Sequence, residues 1–257
     1  MTAPGSRDGL ATALSGGVLT LTLDRAAKRN ALTGLMVDAL HAEFERADRD
    51  ADVRVVVLRG AGTDFSAGAD LEELLQSAGR DPAENERDAL RLGTLFTAIR
   101  SFPHPVVAVV RGRALAGGAG LATACDIVLC AESATLGYPE MQRGFVPAMV
   151  MTLLRRLAGE KAALDLVLTG RLVGAAEALR IGLVSRVVPD QELDRAVDQL
   201  VAQLAAAAPS ALALTKRLFM ELDGRSFGDG IALGARTNAL ARTTPEFRAA
   251  IEEFLRR

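Results

Sequence analysis

PVVAVVRGRALAGGAGLATACDI, residues 105–127, runs from a continuous apolar stretch straight into a helix start that holds Gly117, Gly118 and Gly120. Each interior glycine costs about 1 kcal/mol of helix stability relative to alanine. A chain that accepts this cost either packs two backbones unusually close or lets something approach the peptide N–H groups. A second apolar stretch, Val53 to Leu58, closes on Arg59-Gly60 much as 106–110 closes on Arg111-Gly112, and it leads into GAGTDFSAGADLEELL at 60–75. At such helix starts the first N–H groups have no intrahelical acceptor and the macrodipole is positive, so an anion developing there is stabilised. Two of these N–H groups converging would make an oxyanion hole. The plainer reading is tight helix–strand contact. The G-x-G-x-x-G spacing of a dinucleotide site is absent from 117–122, and no P-loop lysine follows.

Around these turns the pattern is that of an α/β protein. Val18 to Leu23 alternates as a half-buried strand, and Leu35, Met36, Leu40 and Phe44 recur at helical spacing after it. Strands are expected at 53–58, 106–110, 126–130 and 183–188. From about residue 191 the strand signal stops, and QELDRAVDQLVAQLAAAA, SALALTKRLFMELDG and a last helix ending IEEFLRR follow, punctuated by Pro209 and Gly224. The expected organisation is a flexible start over 1–10, a core over 11–190 and a helical region over 191–257. The helical region is too small to bury a core alone, so its apolar faces must dock on the body or on another copy of the chain. The acidic, helix-forming span 71–91, broken at Gly79 to Pro82 and with no clear core stripe around the break, is expected to be a mobile surface segment, closer to a solvated loop than to a lid.

Composition narrows the function classes. The 257 residues are 49% hydrophobic with a formal charge of −2, and both signs are spread along the chain, which points away from nucleic acid and from a polybasic membrane patch. Cys125 and Cys130 stand in an apolar run, and His41 and His104 are remote from them, so two buried thiols are expected rather than a disulfide or a metal site. MTAPGSRDGL lacks a signal-peptide core and no apolar run approaches a membrane span, so a cytoplasmic protein is expected.

Four motifs in order, RAAKRNAL at 25–32, DFSAGADL at 64–71, the 105–127 stretch and LGYPEMQRGFVPA at 136–148, resemble the crotonase superfamily, the enoyl-CoA hydratases and isomerases. EALRIGLVSRVV at 177–188 is similar to the family's segment before its terminal helices, so the likeness spans nearly the whole chain. It implies a crotonase-like spiral of ββα turns with a C-terminal α-helical region, assembled as a homotrimer or a dimer of trimers. It implies an acyl-CoA thioester substrate, with coenzyme A part of the substrate and no metal or redox cofactor. The matching oxyanion-hole donors are the N–H groups of Ala69 and Gly117. Lys28 to Ala31 would lie along the CoA chain, with Lys28 or Arg29 near its phosphates. The backbone from Ala67 through Asp70 to Leu71 would meet its adenine end. Leu115, Gly118, Pro139 and Gly144 would also line the ligand, and Arg256 and Arg257 match terminal basic residues that reach the 3′-phosphate.

The acid–base positions depart from the family's commonest pattern. Glu140 in Tyr138-Pro139-Glu140 matches one of two glutamates, while Gly120 stands where the other is expected. Glu140 would give or take a proton at the substrate's Cα, with its pKa raised by an apolar pocket. One carboxylate suits a Δ3-Δ2-enoyl-CoA isomerase. The run Arg143-Gly144-Phe145-Val146-Pro147-Ala148 is instead similar to hydratases of branched substrates such as methylglutaconyl-CoA, and it places hydration of a 2-enoyl-CoA first. A second acid could come from Glu72, Glu73, Asp81, Glu84 or Glu86, or Tyr138 and main chain could hold the water. Thioester hydrolysis, decarboxylation or mere acyl-CoA binding are further chemistries of such a fold.

Overall fold

The computed structural model describes residues 6–256. The chain begins with β1 (Ser6–Arg7), β2 (Leu10–Ser15) and β3 (Val18–Leu23), then α1 (Gly34–Asp48), β4 (Val55–Gly60), α2 (Leu71–Ser77) and α3 (Pro82–Ser101). It continues through β5 (Val106–Val110), β6 (Arg113–Leu115), α4 (Gly117–Ala124), β7 (Ile127–Ala131), β8 (Thr135–Gly137), α5 (Ala148–Leu157), α6 (Gly159–Thr169) and β9 (Leu172–Gly174). After α7 (Ala175–Arg180) and β10 (Arg186–Val188), it closes with α8 (Leu193–Ala206), α9 (Pro209–Glu221), α10 (Phe227–Ala241) and α11 (Pro245–Leu255).

The apolar runs become one seven-stranded sheet ordered β1-β2-β3-β4-β5-β7-β10, antiparallel up to β3 and parallel beyond it. Every side chain of β5 is buried, as expected of a parallel strand covered on both faces. Parallel pairing of β4 with β5 brings the turns that follow them to the same edge of the sheet. There the chain makes a second layer of short pairings. Leu32 bridges Ala69, Ser66 bridges Ala114, and β6 pairs with β8, which pairs with β9. This layer carries both glycine-rich turns and holds them in register.

Several elements differ from what the sequence suggests. Residues 6–10, expected in a flexible start, pair as β1 and the first residue of β2. The span 71–91 keeps the helix-forming character and the break that its sequence suggests, but it forms α2 and the first half of α3 rather than a loop. Asp81 starts α3 by accepting from Ala83 N and Glu84 N at 2.8 and 2.9 Å, with Pro82 at the first helical position. The span shows no core stripe because the buried residues of α3, Leu95, Phe96 and Ile99, all lie beyond residue 91. Leu35, on the expected apolar stripe of α1, is 63% exposed, while Met36, Val37, Leu40, Phe44 and Ala47 face inward. The strand expected over 183–188 shortens to β10, with Leu183 and Val184 buried ahead of it.

The region after 191 holds four helices of two kinds. α8 buries Leu193, Val197, Leu200 and Val201 against the body, so it belongs to this chain's own core. α9, α10 and α11 bury no residue fully, and Phe219, Phe227, Ile231 and Phe254 are exposed. A buried polar anchor helps hold α9 in place. Lys216 Nζ donates to Asp126 Oδ2 at 2.7 Å, Ile99 O at 3.0 Å and His104 O at 3.2 Å. Cys125 and Cys130 are buried free thiols, and burial pushes the Cys130 thiol up to about 12.

Candidate active site

The two glycine-rich turns meet. A Cβ placed on Gly68 would lie 2.8 Å from Ala116 Cβ, 2.9 Å from Leu115 O and 3.5 Å from Gly117 N, so only glycine lets the Ala69 turn approach the start of α4. Gly118 faces Ser66 as closely, at 2.7 Å from its Cβ and its carbonyl oxygen. Leu115 N donates to Ser66 O at 2.9 Å and Ala116 N to Gly137 O at 2.8 Å, which ties the start of α4 to both neighbouring segments. Leu32 N donates to Gly68 O and Asp70 N to Leu32 O, and the Ala69 N–H between them points away from this pairing. Ala69 N–H and Gly117 N–H have no acceptor among the described residues. Ala116 sits at φ 51, a strained conformation for a non-glycine residue that turns the first N–H of α4 outward. The expected pair of oxyanion-hole donors is therefore brought together in a preorganised frame.

An apolar wall faces this frame. A Cβ on Gly117 would lie 3.2 Å from Leu92 Cδ2 and 3.9 Å from Leu32 Cδ1, which places both side chains beside the start of α4. On the next turn of α4, a Cβ on Gly120 would lie 2.4 Å from Val150 Cγ1 and 2.8 Å from Phe96 Cζ. The space into which a glutamate at 120 would project is filled by a branched methyl group and an aromatic ring. The acids of 71–91 do not replace it. Glu72 pairs with Lys28 at 2.7 Å, Glu73 Oε2 accepts from Gly34 N at 2.8 Å, Asp81 caps α3, and Glu84 and Glu86 are exposed.

Glu140 follows β8 by three residues, in a 3-10 turn over Pro139–Arg143 whose parent strand pairs Gly137 with Leu115. It is 9% exposed and its Oε2 has no hydrogen-bond partner among the described residues. Burial raises its pKa above the ordinary glutamate value, against the pull of its own backbone N–H and of Arg143. A carboxylate held in this way is suited to accept and return a proton.

The remaining expected residues divide into frame and surface. The Asp70 carboxylate is engaged within the protein. It accepts from Arg25 Nη1 at 2.9 Å and from Glu72 N at 3.0 Å, starting α2. Burial alone would push this carboxyl up, but Arg25 and the backbone N–H groups hold it below its usual range. Ala31 O accepts from Arg25 Nη1 at 2.6 Å and Ala67 N donates to Arg29 O at 2.9 Å, so 28–31 lies beside 67–70. Lys28, Arg29, Ala69 and Leu71 are solvent-exposed along this edge, whereas Pro139 is buried next to Glu140. Gly144 ends the 3-10 turn at φ 67 on the surface. Arg256 follows α11, and Arg257 lies outside the described residues. Sequence reasoning missed Asn30, a fully buried clamp whose Nδ2 donates to Ala61 O and Asp64 O at 2.8 Å and whose carbonyl accepts from Ser66 Oγ. Its signal was an asparagine at a positive-φ position, φ 53, inside RAAKRNAL.

Comparison with known proteins agrees with this frame. The family model described as enoyl-CoA hydratase/isomerase matches residues 13–252. A putative enoyl-CoA hydratase of Thermus thermophilus is 44% identical over 239 residues, covering 93% of this chain and 94% of that protein. A mitochondrial delta(3,5)-delta(2,4)-dienoyl-CoA isomerase of Pongo abelii is 40% identical over 77% of this chain and 64% of its own length. The crystal structure of an enoyl-CoA hydratase from Mycobacterium smegmatis superimposes with a TM-score of 0.93 at 32% identity, covering 96% of both chains. With its two sheets, its eleven described helices and its paired glycine turns, the chain has the crotonase fold and belongs to the enoyl-CoA hydratase/isomerase family.

Proposed function

We propose that the protein adds water to a 2-enoyl-CoA, with Ala69 N–H and Gly117 N–H binding the thioester oxygen and Glu140 as its acid–base group. The observation that carries this reading is the packing of two glycine turns at the free N–H groups of Ala69 and Gly117, with buried Glu140, whose Oε2 lacks a partner among the described residues, three residues past the strand that pairs with Leu115. As the water oxygen bonds to C3, Glu140 takes the water's proton and negative charge moves to the thioester oxygen. Collapse of the enolate draws that proton onto C2 and restores the carboxylate. One carboxylate with two oxygens suffices when both additions occur on the same face. The exposed edge of Lys28, Arg29, Ala69 and Leu71, with half-buried Ala67 between, takes the CoA moiety, and the exposed apolar faces of α9–α11 meet further copies in a trimer or a dimer of trimers.

One observation favours a second reading, Δ3-Δ2-enoyl-CoA isomerisation. Val150 and Phe96 leave no room for a second acid at Gly120, and double-bond migration needs only one group that moves a proton from C2 to C4. Supplying a 2-enoyl-CoA and a 3-enoyl-CoA in parallel, with Glu140→Gln as control, separates the two. A product heavier by one water from the 2-enoyl substrate supports hydration, and migration at constant mass supports isomerisation. Glu140→Gln loses turnover in either case and keeps acyl-CoA affinity near that of the wild type.

A further inference from the structure

In the turn that carries the Ala69 donor, the neighbouring N–H groups are all engaged. Ser66 N donates to Arg113 O at 3.0 Å, Ala67 N to Arg29 O at 2.9 Å and Asp70 N to Leu32 O at 2.9 Å. Gly68 N reaches a side chain instead: it donates to the Ser66 hydroxyl at 3.2 Å, and that hydroxyl donates in turn to Asn30 O at 2.8 Å. From 66 to 70, only Ala69 N–H is left without an acceptor among the described residues. Gly68 sits at φ 93, a conformation that its own sterics do little to hold against others. It is held from both sides. Its N–H is fixed by the Ser66 hydroxyl, and its carbonyl, on the same peptide as the Ala69 N–H, accepts from Leu32 N at 2.8 Å.

The same serine also meets the other donor's helix. Ser66 is 0% exposed, its carbonyl accepts from Leu115 N at 2.9 Å, and a Cβ on Gly118 would lie 2.7 Å from Ser66 Cβ, O and Oγ. Gly118 adjoins Gly117. We propose that Ser66 is a positioning residue for both oxyanion-hole donors: its hydroxyl fixes the Gly68 backbone that aims the Ala69 N–H, and its Cβ and carbonyl set the distance to the start of α4. An alanine at 66 keeps the backbone bonds and the close contact but frees Gly68 N–H, so the flexible glycine loses one of its two holds. The inference rests on Ala69 and Gly117 as donors to the thioester oxygen, and its main readout needs no turnover.

The test is isotope-edited infrared spectroscopy of butyryl-CoA, labelled with ¹³C at the thioester carbonyl and bound to the full chain. Hydrogen bonds from the two donors polarise the carbonyl and lower its stretching frequency relative to the free ligand. In Ser66→Ala the bound band moves back toward the free position while butyryl-CoA still binds. With the substrate that the parallel assay identifies, kcat falls about ten- to a hundredfold at nearly constant KM. Ser66→Cys, whose thiol bonds only weakly, shifts the band the same way by less and keeps the test available if the alanine variant does not fold. Ser185→Ala is the control. The Ser185 hydroxyl also accepts from a backbone N–H, that of Val128 at 3.0 Å, but near the start of β7, and its loss leaves the band unmoved. A Ser66→Ala band that superimposes on the wild type, or a Ser185→Ala band that moves as far, overturns the proposal. A wild-type band at the free position overturns the oxyanion hole and this inference with it, whereas failure of the hydration reading shows in the substrate assay alone and leaves the band shift in place.

Discussion

α2 and α4 both begin at a small-residue turn after a parallel strand, yet they begin in opposite ways. α2 is capped: Asp70 accepts from Glu72 N, and the same carboxylate is locked by Arg25. α4 has no side-chain cap, starts from a strained Ala116, and is otherwise buried for all but its first residue. A cap satisfies N–H groups and stabilises a helix, whereas an uncapped start leaves them to a ligand. The site uses both. Capping at Asp70 fixes the frame one residue beyond the free N–H of Ala69, and the open start of α4 presents the other proposed donor, Gly117 N–H.

The sharpest way to break this contrast is Gly117→Pro. Proline is compatible with the first position of a helix and removes the N–H; its Cβ would meet the movable end of Leu92 at 3.2 Å, while its ring also restricts Ala116, already at φ 51, and distorts the turn. Turnover is expected to fall about a hundred- to a thousandfold, equivalent to about 3–4 kcal/mol of barrier, in a protein whose far-UV dichroism is that of the wild type. Steady-state rates on the substrate that the parallel assay identifies provide the check, and full activity in a folded variant removes Gly117 from the oxyanion hole.

A smaller effect is expected from Gly120→Ala. Alanine gains about 1 kcal/mol in a helix interior, but its Cβ would lie 2.4 Å from buried Val150, and overpacking costs about 1–3 kcal/mol. The clash outweighs the propensity. Denaturant unfolding shows a lowered midpoint that Val150→Ala partly restores, and Gly120→Glu gains no hydratase activity. A stable Gly120→Glu protein with faster hydration would show that the wall of Val150 and Phe96 yields.

Smallest is the loss from Asp70→Ala, about 1–2 kcal/mol of stability for the cap and its hydrogen bond to Arg25. The sign with pH follows from the lowered carboxyl. Its stabilisation is present above the unfolded-state pKa and is lost as pH falls through the folded one, so the variant and the wild type converge in acid. Urea unfolding at neutral and acid pH reads this directly. Because Ala69 N–H survives the change, turnover drops less than in Gly117→Pro.

What the sequence made legible was what local chemistry dictates. The apolar runs at 18–23 and 106–110, the small-residue turns and the 3-10 turn holding Glu140 are where their residues place them. The rest depended on residues distant in sequence. Helix α3 reads as a loop through residue 91 because its buried stripe begins at Leu95, and Leu35 lies just off the stripe that Met36 and Leu40 define. Gly120 was legible as a missing carboxylate. That Val150, thirty positions later, fills its place was not, since a gap shows in sequence only as the absence of a side chain. Asp70 sits inside the motif expected to meet CoA, but its carboxylate is spent on Arg25 and the start of α2, next to the Ala69 N–H.

The central claim is that one carboxylate, Glu140, moves a proton at C2 of a thioester whose oxygen lies between two backbone N–H groups. Exchange of the C2 hydrogens of a saturated acyl-CoA in deuterium oxide, followed by NMR, tests this whether the net reaction is hydration or isomerisation. The account predicts enzyme-dependent exchange that slows toward acid pH, as Glu140 is protonated above the usual glutamate range, and that is lost in Glu140→Gln while the acyl-CoA still binds. Exchange that persists undiminished in Glu140→Gln would contradict it.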